Sequence, residues 1–185
     1  MVSLKKNRGR VHILSDNRSK ALRGKGIIMR RKDREIKDTE DIINIVSRAK
    51  ILHLGLIDKV YPYIVPLHYG YEFTDGKFVF FMHCAKEGKK LELIRNNPNV
   101  CVELECDTEI VSGGEVPCRY GSLYSSFIGY GIAEIVSDEQ EKIKGLKLLM
   151  KNQTDRDFDI DSRMTSAVEV IKVIVCEFTA KSRNK

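Results

Sequence analysis

The sequence predicts an α+β fold in which an antiparallel β-barrel is flanked by helices. Segments with the alternating pattern of β-strands dominate the chain, and short turns join neighbouring strands, which favours local antiparallel pairing. Helical patterns lie between groups of these strands. A length of 185 residues with 42% hydrophobic residues is sufficient for one domain with its own core.

The first predicted elements are a helix and two strands. Asp38 or Thr39 can cap a helix whose apolar residues follow helical spacing as far as Ala49. Pro62 and Pro66 lie within the second strand and cannot donate to a ladder, so we expect this strand at an edge of the sheet or with the prolines facing away from a partner. The two strands are predicted at 51–57 and 61–71.

The remaining elements begin at a hairpin signal, Asp75-Gly76. The next helix ends at Asn96-Asn97-Pro98, which is a strong stop signal. Gly129 and Gly131 lie two residues apart in one strand, a pattern that indicates a bulge or the close approach of another group. The predicted strands are 77–82, 99–106, 122–136 and 167–179, the helices are 87–95 and 138–150, and the segment 107–118 is predicted to be a loop.

The segment 80–90 is the most informative in the chain. A strand-like run stops at a polar cluster in which His83, Gly88 and three lysines fall within eight residues, and a helical pattern follows at once. A strand, a basic loop and a helix start in this order can present backbone N–H and ammonium groups to one phosphate. The alternative is a solvated helix start with lysines on its exposed face. The lysines are Lys86, Lys89 and Lys90.

Three further segments, together with this loop, carry a resemblance to a known family. They are the segments 29–36, 62–71 and 124–136. In this order they resemble the FMN-binding split-barrel proteins related to pyridoxamine 5′-phosphate oxidase, and most of all the 5-nitroimidazole-resistance (Nim) branch. The resemblance runs from Met29 to about Lys181.

The resemblance implies FMN bound between the two subunits of a homodimer on a split barrel. It implies that Lys86, Lys89 and Lys90 contact the phosphate, with Ser125 and Ser126 as hydroxyl donors, chiefly from the partner chain. Many relatives carry a larger polar or charged residue at the position of Ser125, which is a departure in this sequence. The family segment along the flavin ring corresponds to Tyr63, Val65, Pro66 and Leu67, with His83 and Cys84 where the next strand approaches.

His83 is the catalytic candidate. Its imidazole could donate a hydrogen bond to substrate or ring or shuttle a proton, and the alternative is a strand-end histidine with a structural role. We expect His53 to be a structural or interface residue. His68 lies next to the proline-bearing edge and could reach the pocket, but we do not expect it to be catalytic. Glu103 and Glu134 are interpreted as lone carboxylates with nothing to pair them for acid–base chemistry, and no metal site is predicted.

The leading functional hypothesis is an FMN-dependent oxidoreductase that passes electrons from reduced flavin to a small-molecule acceptor such as a nitro-aromatic or quinone-like compound. The sequence contains no GxGxxG motif, so a nicotinamide donor would bind only transiently. The alternative is a non-catalytic flavin- or haem-binding protein on the same barrel, with His83 or His53 as axial ligand.

The positive charge of the chain is concentrated at its N-terminus, which matters for binding to nucleic acid or membranes. Residues 1–26 carry eight lysines and arginines against one aspartate, so this segment accounts for the net charge of +6. We expect residues 1–28 to be a basic extension without fixed structure and residues 29–185 to form the FMN-binding domain. We expect neither nucleic acid nor a membrane as partner, although this extension could touch either. Five scattered cysteines without a CxxC pair favour the reducing cytoplasm.

Overall fold

The structure, a computed structural model, describes residue 27 and residues 29–184. The predicted basic extension, residues 1–28, lies outside the described residues apart from Ile27. In the described part, no helix is long and apolar enough to cross a membrane.

Eight strands and four α-helices make up the described part of the chain. The strands are β1 (Glu35–Ile36), β2 (Leu52–Asp58), β3 (Tyr61–Leu67), β4 (Gly70–Thr74), β5 (Lys77–Cys84), β6 (Asn99–Val111), β7 (Gly121–Ile135) and β8 (Glu169–Arg183). The helices are α1 (Thr39–Arg48), α2 (Lys89–Asn96), α3 (Glu139–Thr154) and α4 (Ser162–Ser166). Short 3₁₀ turns lie at Lys32–Arg34 and Pro117–Arg119.

All strands pair antiparallel in one sheet. The order is β3-β2-β6-β7-β8-β5-β4, and the two-residue β1 pairs with β8. The two ends of this order, β3 and β4, follow each other in the chain and are separated by only His68 and Tyr69. Because the three Cα–Cα steps from Leu67 to Gly70 can span at most about 11 Å, the sheet must curl until its ends meet. This curled sheet with helices outside it confirms the predicted α+β split barrel.

The predicted strand 61–71 is wrong in one respect, because the chain breaks at His68 and Tyr69 into β3 and β4. The cause is the burial of Tyr69, which is fully covered. Its hydroxyl donates to the carbonyl oxygen of Val46 at 2.6 Å and lies 2.9 Å from that of Ala49. Those carbonyls belong to the end of α1, where no intrahelical partner is available.

The same corner is held from the other side by α3. The backbone carbonyl of Tyr69 accepts from the side-chain amides of Asn152 and Gln153, each at 3.0 Å. Gly70 follows directly, and a Cβ there would lie 2.1 Å from the backbone nitrogen of Leu149. Only glycine permits this approach of strand to helix, so the corner between β3 and β4 is fixed by both helices.

The edge position predicted for the proline-bearing strand is confirmed. β3 stands at one end of the strand order and pairs only with β2, with Pro62 opposite Ile57 and Pro66 opposite His53. The missing N–H of each proline therefore costs the sheet little.

β6 is longer than the sequence predicts. The strand predicted to end at 106 continues to Val111 after a register shift between Cys106 and Glu109, so the start of the predicted loop 107–118 is wrong. Asp107 lies within this register shift and has a φ of 58°.

The close approach predicted at the paired glycines is confirmed. A Cβ at Gly129 would lie 2.5 Å from a methyl of Val175, and one at Gly131 would lie 2.6 Å from a backbone oxygen.

Aromatic rings fill the centre of the barrel. Phe78 lies 5.2 Å from Phe127 and 5.1 Å from Phe178 between ring centroids, both in edge-to-face geometry. Phe127 and Phe178 are stacked at 5.4 Å. Such pairs contribute about 0.5–1.5 kcal/mol beyond the burial of their area. The core therefore joins β5, β7 and β8, and β5 leads into the loop described next.

We predict that Tyr69→Phe destabilises the protein by about 1–3 kcal/mol, because it leaves buried carbonyls at the end of α1 without their donor. Equilibrium unfolding in urea measures this. Tyr61→Phe is the control, since Tyr61 is 78% exposed and should change stability little. A Tyr69→Phe variant as stable as the control would show that the hydroxyl does not hold the corner.

Candidate functional site

The basic loop predicted from the sequence connects β5 to α2. His83 and Cys84 end the strand, residues 85–88 are exposed, and the helix begins at Lys89. Gly88 has a φ of 141°, a conformation that residues with a side chain rarely adopt. Glycine is therefore required for the chain to turn from strand into helix at this point.

The start of α2 differs from the other helix starts in the described chain. Asp38, Asp138 and Asp161 each accept hydrogen bonds from N–H groups in the first turns of α1, α3 and α4. At α2 the capping position is Gly88, and no side chain caps the helix. The first amides of α2 and the positive end of its dipole are therefore open to an anion from outside the chain.

Lys86 and Lys90 lie beside this helix start. Lys86 is exposed and forms no hydrogen bond or ion pair with any described residue. Lys90 is half-buried and lies near Cys84. Burial raises the pKa of the Cys84 thiol, and the Lys90 ammonium partly opposes this shift. Cys84 is therefore a core residue rather than a reactive thiol.

Lys89 is already engaged within the chain. Its Nζ lies 2.5 Å from a carboxylate oxygen of Asp58 and 4.9 Å from the ring centroid of Tyr63. These contacts raise the pKa of Lys89, with the hydrogen bond to Asp58 as the largest cause. Lys89 thus ties the helix start to the hairpin of β2 and β3, and it has less freedom to bind an anion than Lys86.

The residues predicted along the flavin ring alternate between two sides of β3. Tyr63, Val65 and Leu67 are half-buried and pack against the hydrophobic core, whereas Pro66 is exposed on the opposite side. A planar group lying along this strand would therefore meet its backbone and Pro66. Because β3 pairs with β2 alone, the amides and carbonyls of its other edge have no strand partner in the described sheet.

His83 projects from the end of β5 and is exposed. It forms no hydrogen bond or ion pair with the residues that the structure describes. It lies three residues before Lys86, on the strand that leads into the loop. Its ring is therefore available to a bound group, and its catalytic role stays a prediction.

Ser125 and Ser126 do not lie near this loop in a single chain. Ser126 is opposite Lys181 on β8, and His83 is opposite Val170 on the same strand. Eleven residues of strand correspond to about 35 Å. Both serines are buried, and the Ser125 hydroxyl lies 3.1 Å from that of Ser182. Their predicted role would therefore require a second chain.

The interpretation of Glu103 and Glu134 as lone carboxylates is wrong. Glu103 Oε2 lies 3.1 Å from Nδ1 of His53, directly opposite on the neighbouring strand, and Glu134 is ion-paired with Lys172. The carboxylate of Glu105 also faces His53, at 3.8 Å. The signal that could have found this cluster is the spacing of two glutamates on one strand face, but the register with His53 cannot be read from the sequence.

A cleft of about 780 Å³ lies between α1, α3 and β6, away from the basic loop. None of its lining residues was predicted as a site residue. Burial and the adjacent Asp107 raise the pKa of Cys106 in its wall to about 11, so this thiol stays protonated at neutral pH. The lining includes Ser47, Arg48, Lys50, Tyr71, Lys151 and Asn152.

Known proteins similar to this chain support the same fold. A solved structure of a candidate 5-nitroimidazole antibiotic resistance protein from Bacteroides thetaiotaomicron is 30% identical, with a TM-score of 0.68 over 80% of this chain and 86% of that one. A flavocytochrome from Azotobacter vinelandii is 17% identical, with a TM-score of 0.67 over 85% of this chain and 73% of that one. An FAD- and haem-binding protein from Mycobacterium smegmatis is 13% identical, with a TM-score of 0.67 over 82% and 74%. The latter two are too distant to support more than the fold.

The comparison with protein families is more direct. No curated protein matches the sequence. The family model described as pyridoxamine 5′-phosphate oxidase matches residues 38–182, which includes β3, the β5–α2 loop and β7. This chain therefore belongs to the pyridoxamine 5′-phosphate oxidase family.

Proposed function

We propose that this protein binds FMN at the β5–α2 loop and passes electrons from the reduced flavin to a small-molecule acceptor. The observation that carries the proposal is the uncapped start of α2 next to Lys86, which has no ion-pair partner in the described part of the chain, in a member of this family. The 30% identical relative, named for 5-nitroimidazole resistance, favours a nitro-aromatic compound as acceptor.

The phosphate of FMN fits the start of α2. A phosphate monoester carries a charge of about −1.5 to −2 at neutral pH and needs cations and N–H donors. Lys86 supplies an ammonium that has no ion-pair partner among the described residues, and the first amides of α2 supply donors. Gly88 allows close approach to the backbone because it has no side chain and the space beside it is open, with no atom within 4 Å of where a Cβ would lie. Lys89 would share its charge with Asp58.

The flavin ring fits the free edge of β3. The polar rim of an isoalloxazine needs hydrogen-bonding partners, and a strand edge without a partner strand offers amides and carbonyls at regular spacing. Lys89 is the first residue of α2, and its ammonium contacts the ring of Tyr63 on β3. The proposed phosphate site at the start of α2 is therefore close to β3. FMN supplies the electron transfer when bound, and the protein supplies position and electrostatics.

His83 is the proposed catalytic residue. Its exposed imidazole at the end of β5 can donate one hydrogen bond to an acceptor that accumulates negative charge during reduction. An external donor must reduce the flavin, and we expect a nicotinamide that binds transiently. All five cysteines are free, which agrees with activity in a reducing cytoplasm.

We further propose that the functional unit is a homodimer formed through the outer face of β3, β2, β6 and β7. One row of paired residues crosses these four strands, with each residue opposite the next: Ile64, Gly55, Cys101 and Tyr130. A second copy would also bring Ser125 and Ser126 to the basic loop, which one chain cannot do. The exposed apolar residues of this face are Ile57 (52%), Ile64 (59%), Tyr130 (50%) and Ile132 (41%).

Lys86→Glu should weaken FMN binding by at least about tenfold, because it replaces an attractive charge at the phosphate with a repulsive one. Fluorescence titration of the flavin-free protein measures the affinity. Lys77→Glu, an exposed lysine at the opposite end of β5, is the matched control and should bind FMN as the wild type does. Equal affinity in the two variants would place the phosphate elsewhere.

For His83→Ala, we expect reoxidation of the reduced protein by a nitro-aromatic to slow by about tenfold or more, the low end of acid–base contributions. The melting temperature should change by only a few degrees, since the exposed side chain forms no hydrogen bond or ion pair with the described residues. Stopped-flow absorbance follows the reaction, with His68→Ala as control. Wild-type reoxidation together with a large drop in melting temperature would make His83 structural.

The dimer is tested by Ile132→Lys, which places a charge on the apolar outer face. We expect this variant to sediment as a monomer at micromolar concentration and to lose tight FMN binding, because burying an unpaired lysine opposes association. Met164→Lys in α4, also at an exposed apolar residue, is the control and should remain dimeric. A wild-type monomer that binds FMN tightly would contradict the proposal.

A further inference from the structure

A polar cluster stands on the outer face of the sheet, apart from the basic loop. It consists of His53 on β2 and of Glu103 and Glu105 on β6. His53 Nδ1 lies 3.1 Å from Glu103 Oε2 and 3.8 Å from Glu105 Oε2. One ligand atom from each of the three residues lies within 4.8 Å of the other two.

The two carboxylates converge, although strand geometry does not require it. Side chains two residues apart on one strand start about 7 Å from each other and are free to diverge. Instead, Glu103 and Glu105 approach each other and the same ring nitrogen. Like charges in this arrangement require a cation between them or a shared proton.

Within the described chain, cations near the cluster have other partners or lie further away. Arg48 binds Asp107 with two hydrogen bonds, at 2.7 and 3.2 Å. Glu105 on β6 is opposite Ser126 on β7, which in turn is opposite Lys181 on β8. Lys181 is therefore two strands away from Glu105, and its Nζ lies 5.6 Å from the ring centroid of Tyr124. Neither forms an ion pair with the two glutamates, whose ion-pair partner is His53.

We propose that His53, Glu103 and Glu105 form a binding site for a divalent first-row transition-metal ion. One imidazole nitrogen and two carboxylate oxygens are a donor set that such ions accept. Ligand atoms bound at about 2.1 Å lie about 3.0–3.4 Å from one another, so the His53–Glu103 distance already fits and Glu105 needs only a small rotation. The ion would replace the repulsion between two carboxylates with attraction.

The site would leave coordination positions open towards solvent. His53 and Glu103 are only partly buried and Glu105 is exposed, so water can complete the shell. In the proposed dimer, the same positions would face the second copy, because the cluster shares the outer face with Ile64 and Tyr130. The metal site does not depend on the flavin, since its ligands come from β2 and β6 alone.

Titration of the metal-stripped full-length protein with Mn²⁺, followed by electron paramagnetic resonance, tests the proposal. Mn²⁺ prefers nitrogen and oxygen ligands, so the five free thiols compete little. We expect one bound Mn²⁺ per chain and competition by Zn²⁺. Glu103→Gln keeps the size of the side chain, removes one charge and should weaken Mn²⁺ binding by at least about tenfold.

Glu134→Gln is the control, because that carboxylate pairs with Lys172 outside the cluster, and it should bind Mn²⁺ as the wild type does. Glu105→Gln is a second test variant should Glu103→Gln fail to fold, as judged by circular dichroism. Absence of Mn²⁺ binding to the wild type would overturn the proposal. Undiminished binding in both folded glutamine variants would overturn it equally.

Discussion

The closure of the sheet at Tyr69 is the constraint on which the rest of the structure depends. β3 and β4 are the two ends of the strand order, yet only His68 and Tyr69 separate them in the chain. The buried tyrosine is bonded to the end of α1 through its hydroxyl and to α3 through its carbonyl. Both helices are therefore docked by the same residue that bends the sheet into a barrel.

This closure also produces the candidate site. It leaves β3 with one unpaired edge and brings the hairpin of β2 and β3 against the start of α2, where Lys89 joins Asp58 and Tyr63. The free edge of β3 and its closeness to the start of α2 are thus two consequences of one topology, whereas the open amides of α2 follow from Gly88 at its capping position. The long strand β7 extends in the other direction and carries Ser125 and Ser126 about 35 Å away, so the proposed site with both serines would need two chains.

The sequence was a good guide where local chemistry decides the structure. The capping Asp38, the turn at Asp75-Gly76 and the close packing at Gly129 are all as predicted, because each depends on neighbours in the chain or on the absence of a side chain. It failed where distant elements decide. The break before Gly70 depends on α3, and the pairing of Glu103 with His53 depends on strand register.

The absorption spectrum of the purified full-length protein, with mass spectrometry of any cofactor released on denaturation, tests the central claim most directly. Flavin bands and the mass of FMN, in a ratio of one per chain, are the predicted result. The phosphate of that FMN would then be the anion proposed to bind at the open start of α2 and at Lys86, which has no ion-pair partner among the described residues. A Soret band from haem, or a protein that neither carries nor binds FMN, would contradict the account.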